Sequence, residues 1–230
     1  MAPIGVMRTD FDEKFGAPRQ PGVVEEAKGY LHLPRNEENR EALHGLEGFS
    51  HLWVIFIFSE VCSKKWSPRV RPPRLGGDTS MGLFATRTPF RPNPIGLSAL
   101  RYLGKDEDSE HFILNFTGVD LVNGTPIIDI KPYLPYADCL PQATCPKDYS
   151  QDWPKLKVIF DDATVQSFDQ LEAQKGEELR SLITSCLEQD PRPAVQRDTQ
   201  REHGISLRGF NIRFRVDGGV CRVLNIDALR

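Results

Sequence analysis

From Ile4 to Ile130 the chain is cut into short runs of apolar, aromatic and β-branched residues that recur at roughly ten-residue intervals, with Gly and Pro between them. Helices of ordinary length do not fit that spacing, whereas strands joined by tight turns do. The runs are Ile4–Thr9, Gly29–Leu33, His51–Ser59, Gly82–Arg87, Gly96–Tyr102, His111–Thr117 and Pro126–Ile130. They predict a mainly β chain with an N-terminal small β-barrel rather than a doubly wound α/β fold. HLWVIFIFS at His51–Ser59 is apolar almost throughout, which predicts a central strand buried on both faces, with His51 a satisfied core histidine. One helix is expected to interrupt the strands at Asn36–Leu46, capped by Asn36 and meeting Gly45 near its end.

Past Pro135 the texture changes to YADCLPQATCPKDYSQDWP, a proline-punctuated stretch suited to a linker. Three parts are therefore expected: a β-barrel domain at 1–138, a linker at 139–155 and a small α+β domain at 156–230. Within the last, Leu156–Phe160 reads as a strand, and Val165, Phe168, Leu171, Leu179, Leu182, Ile183 and Leu187 recur at near-helical spacing, with Gly176 a possible break. Leu207–Val216 and Val220–Ile226 read as two strands joined by Asp217-Gly218-Gly219, a strong hairpin signal.

Several function classes are disfavoured. The longest apolar run, Leu52–Phe58, is far too short to span a bilayer, so no membrane role is expected. MAPIGVMRTDFDEKF lacks a basic segment followed by a long apolar core, so no secretory signal is expected. Five cysteines without a CxxC pair fit neither a disulfide framework nor a zinc ribbon, and point to a reducing cytoplasm. The five histidines fall at no HExxH or clustered Cys/His spacing, so no metal is expected. Neither GxGxxG after a strand nor GxxxxGK[ST] occurs, which leaves no Rossmann dinucleotide site or P-loop.

Charge is distributed unevenly. The chain carries a net charge of −3, yet between Lys64 and Arg101 eight basic residues face one acid, Asp78. Such a stripe suits a phosphate-rich partner, since each neutralised phosphate releases counterions, or else it is a solvated surface balanced by acids after folding. Within it, Arg87 and Arg91 sit among Pro89, Pro92 and Pro94. Proline fixes φ, so this loop loses little entropy on ordering; it is either a rigid connection or a platform that aims its arginines at carboxylate or phosphate.

GLFATRTPFRPNPIG at Gly82–Gly96 resembles the signature of the TrmO family, also called TsaA-like or YaeB-like. PRQPG at Pro18–Gly22, GLEGFSHLWVIF at Gly45–Phe56, RPPRLGG at Arg71–Gly77 and DLVNGTPIIDIKPYLPY at Asp120–Tyr136 agree with it in order, and LEQDPRPAVQRD at Leu187–Asp198 looks like the C-terminal domain of bacterial members. The resemblance implies a β-barrel methyltransferase acting as a homodimer, with S-adenosyl-L-methionine near the subunit interface. The implied substrate is the tRNA anticodon arm, methylated at N6 of the N6-threonylcarbamoyladenosine beside the anticodon.

Carried over by residue, the resemblance puts the cofactor against Pro18, Arg19, Gln20, Phe58, Ser59, Arg87, Leu97, Asp120, Leu121, Val122 and Asn123. Ser59 stands where many family members have His. Asp129, Lys131 and Tyr133 are the candidates for positioning and proton removal, with Asp129 and Lys131 on one face of a strand because side chains alternate; a structural ion pair is the other reading. Arg69, Arg71 and Arg91 are candidate tRNA contacts, and Trp66 beside Lys65 offers a stacking surface. The rival to an enzyme is a non-catalytic RNA-binding or S-adenosylmethionine-sensing barrel.

Overall fold

The computed structural model describes residues 2–62, 65–72, 79–146, 154–162, 164–165, 179–192 and 201–229. Six of its strands, β1 (Gly5–Thr9), β2 (Lys28–Pro34), β3 (His51–Ile57), β6 (Ile95–Glu107), β7 (His111–Thr117) and β8 (Thr125–Pro132), pair in the order β1-β2-β7-β6-β3-β8 and close into a barrel. Every neighbouring pair is antiparallel, and β8 completes the ring by pairing with both β3 and β1. Alternation drives the packing: Leu52, Val54 and Phe56 of β3 point inward with Leu31, Leu100, Phe112, Leu114 and Phe116. Gly96 faces Phe56 in register, and a Cβ on it would lie 2.2 Å from the Phe56 ring. The last residue of the Gly82–Gly96 signature is therefore glycine so that an aromatic ring can lie against the opposite backbone.

Three expectations need correction here. β3 is not buried on both faces. His51 is exposed, its Nδ1 3.0 Å from Ser50 Oγ, and Trp53, Ile55 and Ile57 are half-buried on the barrel's outer surface. Gly82–Arg87 is not a strand: only Met81–Gly82 (β5) pairs, with Arg69–Val70 (β4), before a 3-10 turn at Leu83–Ala85. The predicted helix is shorter, α1 (Glu37–Ala42), with Asn36 capping it through Asn39 N and Gly45 taking a left-handed φ of 80° in the turn that follows.

The C-terminal part is a four-stranded sheet in the order β10 (His203–Leu207), β11 (Phe210–Asp217), β12 (Val220–Ala228), β9 (Lys157–Phe160), with β9 parallel to β12. A helix at Leu179–Glu188 buries Leu179, Leu182, Ile183, Cys186 and Leu187. The helical expectation at Phe168, Leu171 and Gly176 lies outside the described residues. Gly218 and Gly219 both have positive φ (52° and 81°), as the expected hairpin requires. Leu207–Val216 is two strands rather than one, broken at Arg208 and Gly209, whose φ values of 47° and 76° form a second such turn.

The two halves share a core. Phe11, Val24 and Ala27, from the segment between β1 and β2, are buried in the C-terminal cluster, and Phe11 bridges Leu207. Asp10 accepts from Lys28 N and pairs with Arg208 at 2.8 Å, with little exposure on either side.

Candidate active site

One cluster forms where the β1–β2 segment, the Gly82–Gly96 loop and the β7–β8 loop meet. Ser98 points into the wall of the barrel and donates to Asp120 Oδ1 at 2.7 Å. Burial pushes the Asp120 carboxyl up to about 6, opposed by the Ser98 hydrogen bond and by the positive charge of Arg87. Arg87 in turn donates through Nη1 to Gln20 Oε1. Gln20, Arg87 and Asp120 are thus brought together from three separate stretches of chain, with Ser98 beneath them. Arg91 is occupied differently: Nη1 donates to Thr86 O at 2.9 Å and its guanidinium lies over Phe84, an exposed ring. It braces the loop that carries Arg87.

The other candidate cofactor residues divide by role. Pro18 is buried, and Arg19 points to the C-terminal domain, donating through Nη2 to Asp190 O at 2.9 Å and Arg192 O at 3.3 Å. Phe58 packs edge-on against Phe56 and its amide donates to Pro94 O, which ties the end of β3 to the signature loop. Ser59 is exposed at the start of a 3-10 turn. Leu121 packs in the barrel core and its carbonyl accepts from Thr9 Oγ1, while the Asn123 amide donates to Asp12 Oδ1. Leu121 braces the end of β1 and Asn123 the segment that follows it, and Val122 O accepts from Thr125 Oγ1.

A second group lies on the outer face of β3, β6 and β8. Leu97, 57% exposed, pairs with Ile55, which pairs on its other side with Asp129. Asp129 and Lys131 share this face, as their spacing predicts, and form an ion pair of 2.8 Å with both side chains well exposed. Tyr133 packs at 5.4 Å from Trp53 and 6.3 Å from His51. Trp53 Nε1 donates to Asp138 Oδ2, which also accepts from Leu134 N, so the short helix α2 (Pro135–Asp138) is tied to the barrel. The side chains of Leu97 and Ser98 leave β6 on opposite faces, which separates this group from the Asp120 cluster.

Of the tRNA candidates, Arg69 is held by Ser80 through Nε to Oγ (3.0 Å) and Nη2 to O (3.2 Å), Arg71 is exposed, and Trp66 is half exposed. Lys64 and Arg74 of the basic stripe lie outside the described residues. Sequence reasoning missed Ser98, whose signal is a hydroxyl at an inward position of an otherwise apolar strand. It also missed that His32, Asp108 and His111 bring their ligand atoms within 4.8 Å of one another, because His32 and His111 meet only across the β2–β7 pairing.

The chain matches the model of the tRNA-methyltransferase O N-terminal domain over residues 6–139 and that of the TrmO C-terminal domain over residues 153–229. It is 44% identical over 217 residues to the tRNA (adenine(37)-N6)-methyltransferase of Escherichia coli (strain K12), covering 93% of this chain and 91% of that one. It is 40% identical over 222 residues to the putative S-adenosylmethionine-dependent methyltransferase RcsF of Pseudomonas aeruginosa, covering 93% and 91%. The crystal structure of TrmO from Pseudomonas aeruginosa superposes with a TM-score of 0.80 at 33% identity, covering 99% of this chain and 97% of that one. The family models and the relatives define a tRNA methyltransferase, here built on antiparallel strands. The chain belongs to the TrmO family.

Proposed function

We propose that this chain transfers a methyl group from S-adenosyl-L-methionine to N6 of adenosine 37 in tRNA, and that the adenosine bears the N6-threonylcarbamoyl group. The observation that carries the reading is the Gln20–Arg87–Asp120–Ser98 cluster, together with relatives named for the same cofactor and the same adenine. The donor set fits this cofactor. Arg87 offers a planar fork to an amino-acid carboxylate, and Asp120, held by Ser98, offers an acceptor to ribose hydroxyls. Bound there, the sulfonium supplies an electrophilic methyl carbon for direct displacement.

The chain's own residues then align and deprotonate the acceptor. N6 of the ureido-substituted adenine carries one proton, which leaves as the N–C bond forms. Asp129 is the group to accept it, with Lys131 holding its Oδ2 and the Ile130 amide its Oδ1. Tyr133, against Trp53, supplies an aromatic surface for the base. Alignment of the acceptor contributes most of the rate, because the methyl donor is intrinsically reactive. Arg69 and Arg71 meet the phosphates of the anticodon arm, while Arg91 braces the loop that carries Arg87.

The same reading makes the active form a cytoplasmic homodimer. The apolar outer face of Ile55, Ile95 and Leu97 supports it, since side chains of that size seldom lie open together on a monomer.

Incubation with labelled S-adenosyl-L-methionine and tRNA, with and without the threonylcarbamoyl group, tests the proposal. Label only in the modified tRNA is the expected result. Label in neither refutes the enzyme, and label only in unmodified tRNA refutes the substrate.

A further inference from the structure

The DPR sequence at Asp190–Arg192 follows the helix Leu179–Glu188, and the function proposed above does not use it. Asp190 has a left-handed φ of 45°, and its amide donates to Leu187 O. Its carboxylate takes both arms of Arg192, at 2.8 and 3.0 Å, with each side chain almost completely buried. A buried charge pair of this geometry specifies one turn conformation, since either charge left alone would be costly. What the turn presents outward is not the charges, which satisfy each other, but two main-chain oxygens, at Asp190 and Arg192. Both accept from Arg19 Nη2.

Arg19 lies between Pro18 and Gln20 in the segment joining β1 to β2. That segment is anchored at either end in the C-terminal core by Phe11, Val24 and Ala27. Its middle is fastened on one side by Arg19 to the DPR turn and on the other by Gln20 to Arg87. A line of contacts therefore runs from the C-terminal domain to Arg87, whose positive charge acts on the Asp120 carboxylate. We infer that Arg19 is a positioning residue rather than a cofactor ligand: the Asp190–Arg192 turn of the C-terminal domain holds the Pro18–Gln20 segment, through Arg19, in the conformation that binds the cofactor. This rests on the reading of Gln20 and Arg87 as part of the cofactor site.

The account differs sharply from one in which the Arg19 guanidinium grips the cofactor carboxylate. Under that alternative, residues 190 and 192 are irrelevant to affinity. Under the positioning account, loosening the turn has the same effect as removing Arg19, and the two effects do not add, because they break one connection.

The test uses the full chain in three forms: Arg19→Ala, which changes an exposed residue; Asp190→Asn with Arg192→Met, which removes both charges together and keeps a residue tolerant of positive φ; and all three changes combined. Two quantities are read, the dissociation constant for S-adenosyl-L-methionine and amide hydrogen exchange of Arg19, Gln20 and Gly22 without ligand. All three forms are expected to weaken binding by about tenfold, the scale of one charged hydrogen bond, to raise exchange in the segment, and to raise KM for the cofactor more than they lower kcat. The inference is overturned if the 190/192 variant matches wild type in affinity and exchange while Arg19→Ala weakens binding, which makes Arg19 a direct ligand. It is also overturned if exchange rises but affinity holds. Gln20→Ala and Arg87→Ala separate the underlying reading: if neither weakens cofactor binding, the site itself is misassigned, whatever the turn does to exchange.

Discussion

Ser98 and Asp120 are joined by a 2.7 Å hydrogen bond in which a hydroxyl from an inward position of β6 holds a carboxylate from the β7–β8 loop. The pairing places an acid where burial opposes its charge and pushes it up to about 6. Because the folded-state value lies above that of the unfolded chain, the native state retains this proton over a range in which the unfolded chain has lost it. Stability tied to Asp120 is therefore greatest below the ordinary carboxyl range, declines as pH rises toward about 6, and is flat beyond. Thermal melts across this window should show a decline, on the order of 3 kcal/mol at most, that is absent in Asp120→Asn. Parallel profiles would contradict the assignment. Cofactor affinity should move the other way, rising as Asp120 ionises.

Gly96 lies against the Phe56 ring, with no room for a Cβ. Gly96→Ala should destabilise the chain by about 2–3 kcal/mol through overpacking, read by denaturant unfolding. Phe56→Leu in the same background should recover part of the loss. A neutral Gly96→Ala would mean that β3 and β6 separate more easily than the barrel allows.

The exposed Asp129–Lys131 pair separates structure from chemistry. As an ion pair it contributes under about 1 kcal/mol, so Asp129→Asn should leave the melting temperature nearly unchanged. If Asp129 takes the N6 proton, the same change should lower kcat by about a hundredfold with little effect on cofactor affinity. Unchanged kcat would assign the proton to water.

Leu97 is exposed beside Ile55 and Ile95 on the barrel's outer face. Leu97→Asp should convert a dimer to a monomer in sedimentation experiments and abolish activity without unfolding the barrel. If wild type sediments as a monomer, the homodimer is refuted.

Arg69 and Arg71 are expected to bind phosphate without reading sequence. Their joint replacement by Ala should weaken tRNA binding and flatten its dependence on salt, while cofactor affinity holds. Loss of cofactor affinity instead would show that the stripe was misread.

Much of this fold is legible in the sequence because alternation and turn chemistry are local. The strand runs at Gly29–Leu33 and His111–Thr117 and the Gly218-Gly219 hairpin needed no tertiary knowledge. β3 misled because Trp53, Ile55 and Ile57, though outward, are as apolar as its inward side; an apolar outer face and a buried one read alike in one strand. Leu207–Val216 misled because Arg208 adopts a positive φ that Arg rarely takes. The candidate site was only partly legible. The motifs name Gln20, Arg87 and Asp120, but Ser98 emerges only from the strand register, and the Arg19 contact only from the meeting of two domains far apart in sequence.

The most direct test is nucleoside analysis of tRNA after reaction with S-adenosyl-L-methionine, comparing wild type with an Arg87→Ala, Asp120→Asn variant that disrupts the cofactor cluster. The account predicts one added methyl group, at N6 of threonylcarbamoyladenosine 37, with wild type only. A methyl group on any other nucleoside, or equal methylation by the variant, would contradict it.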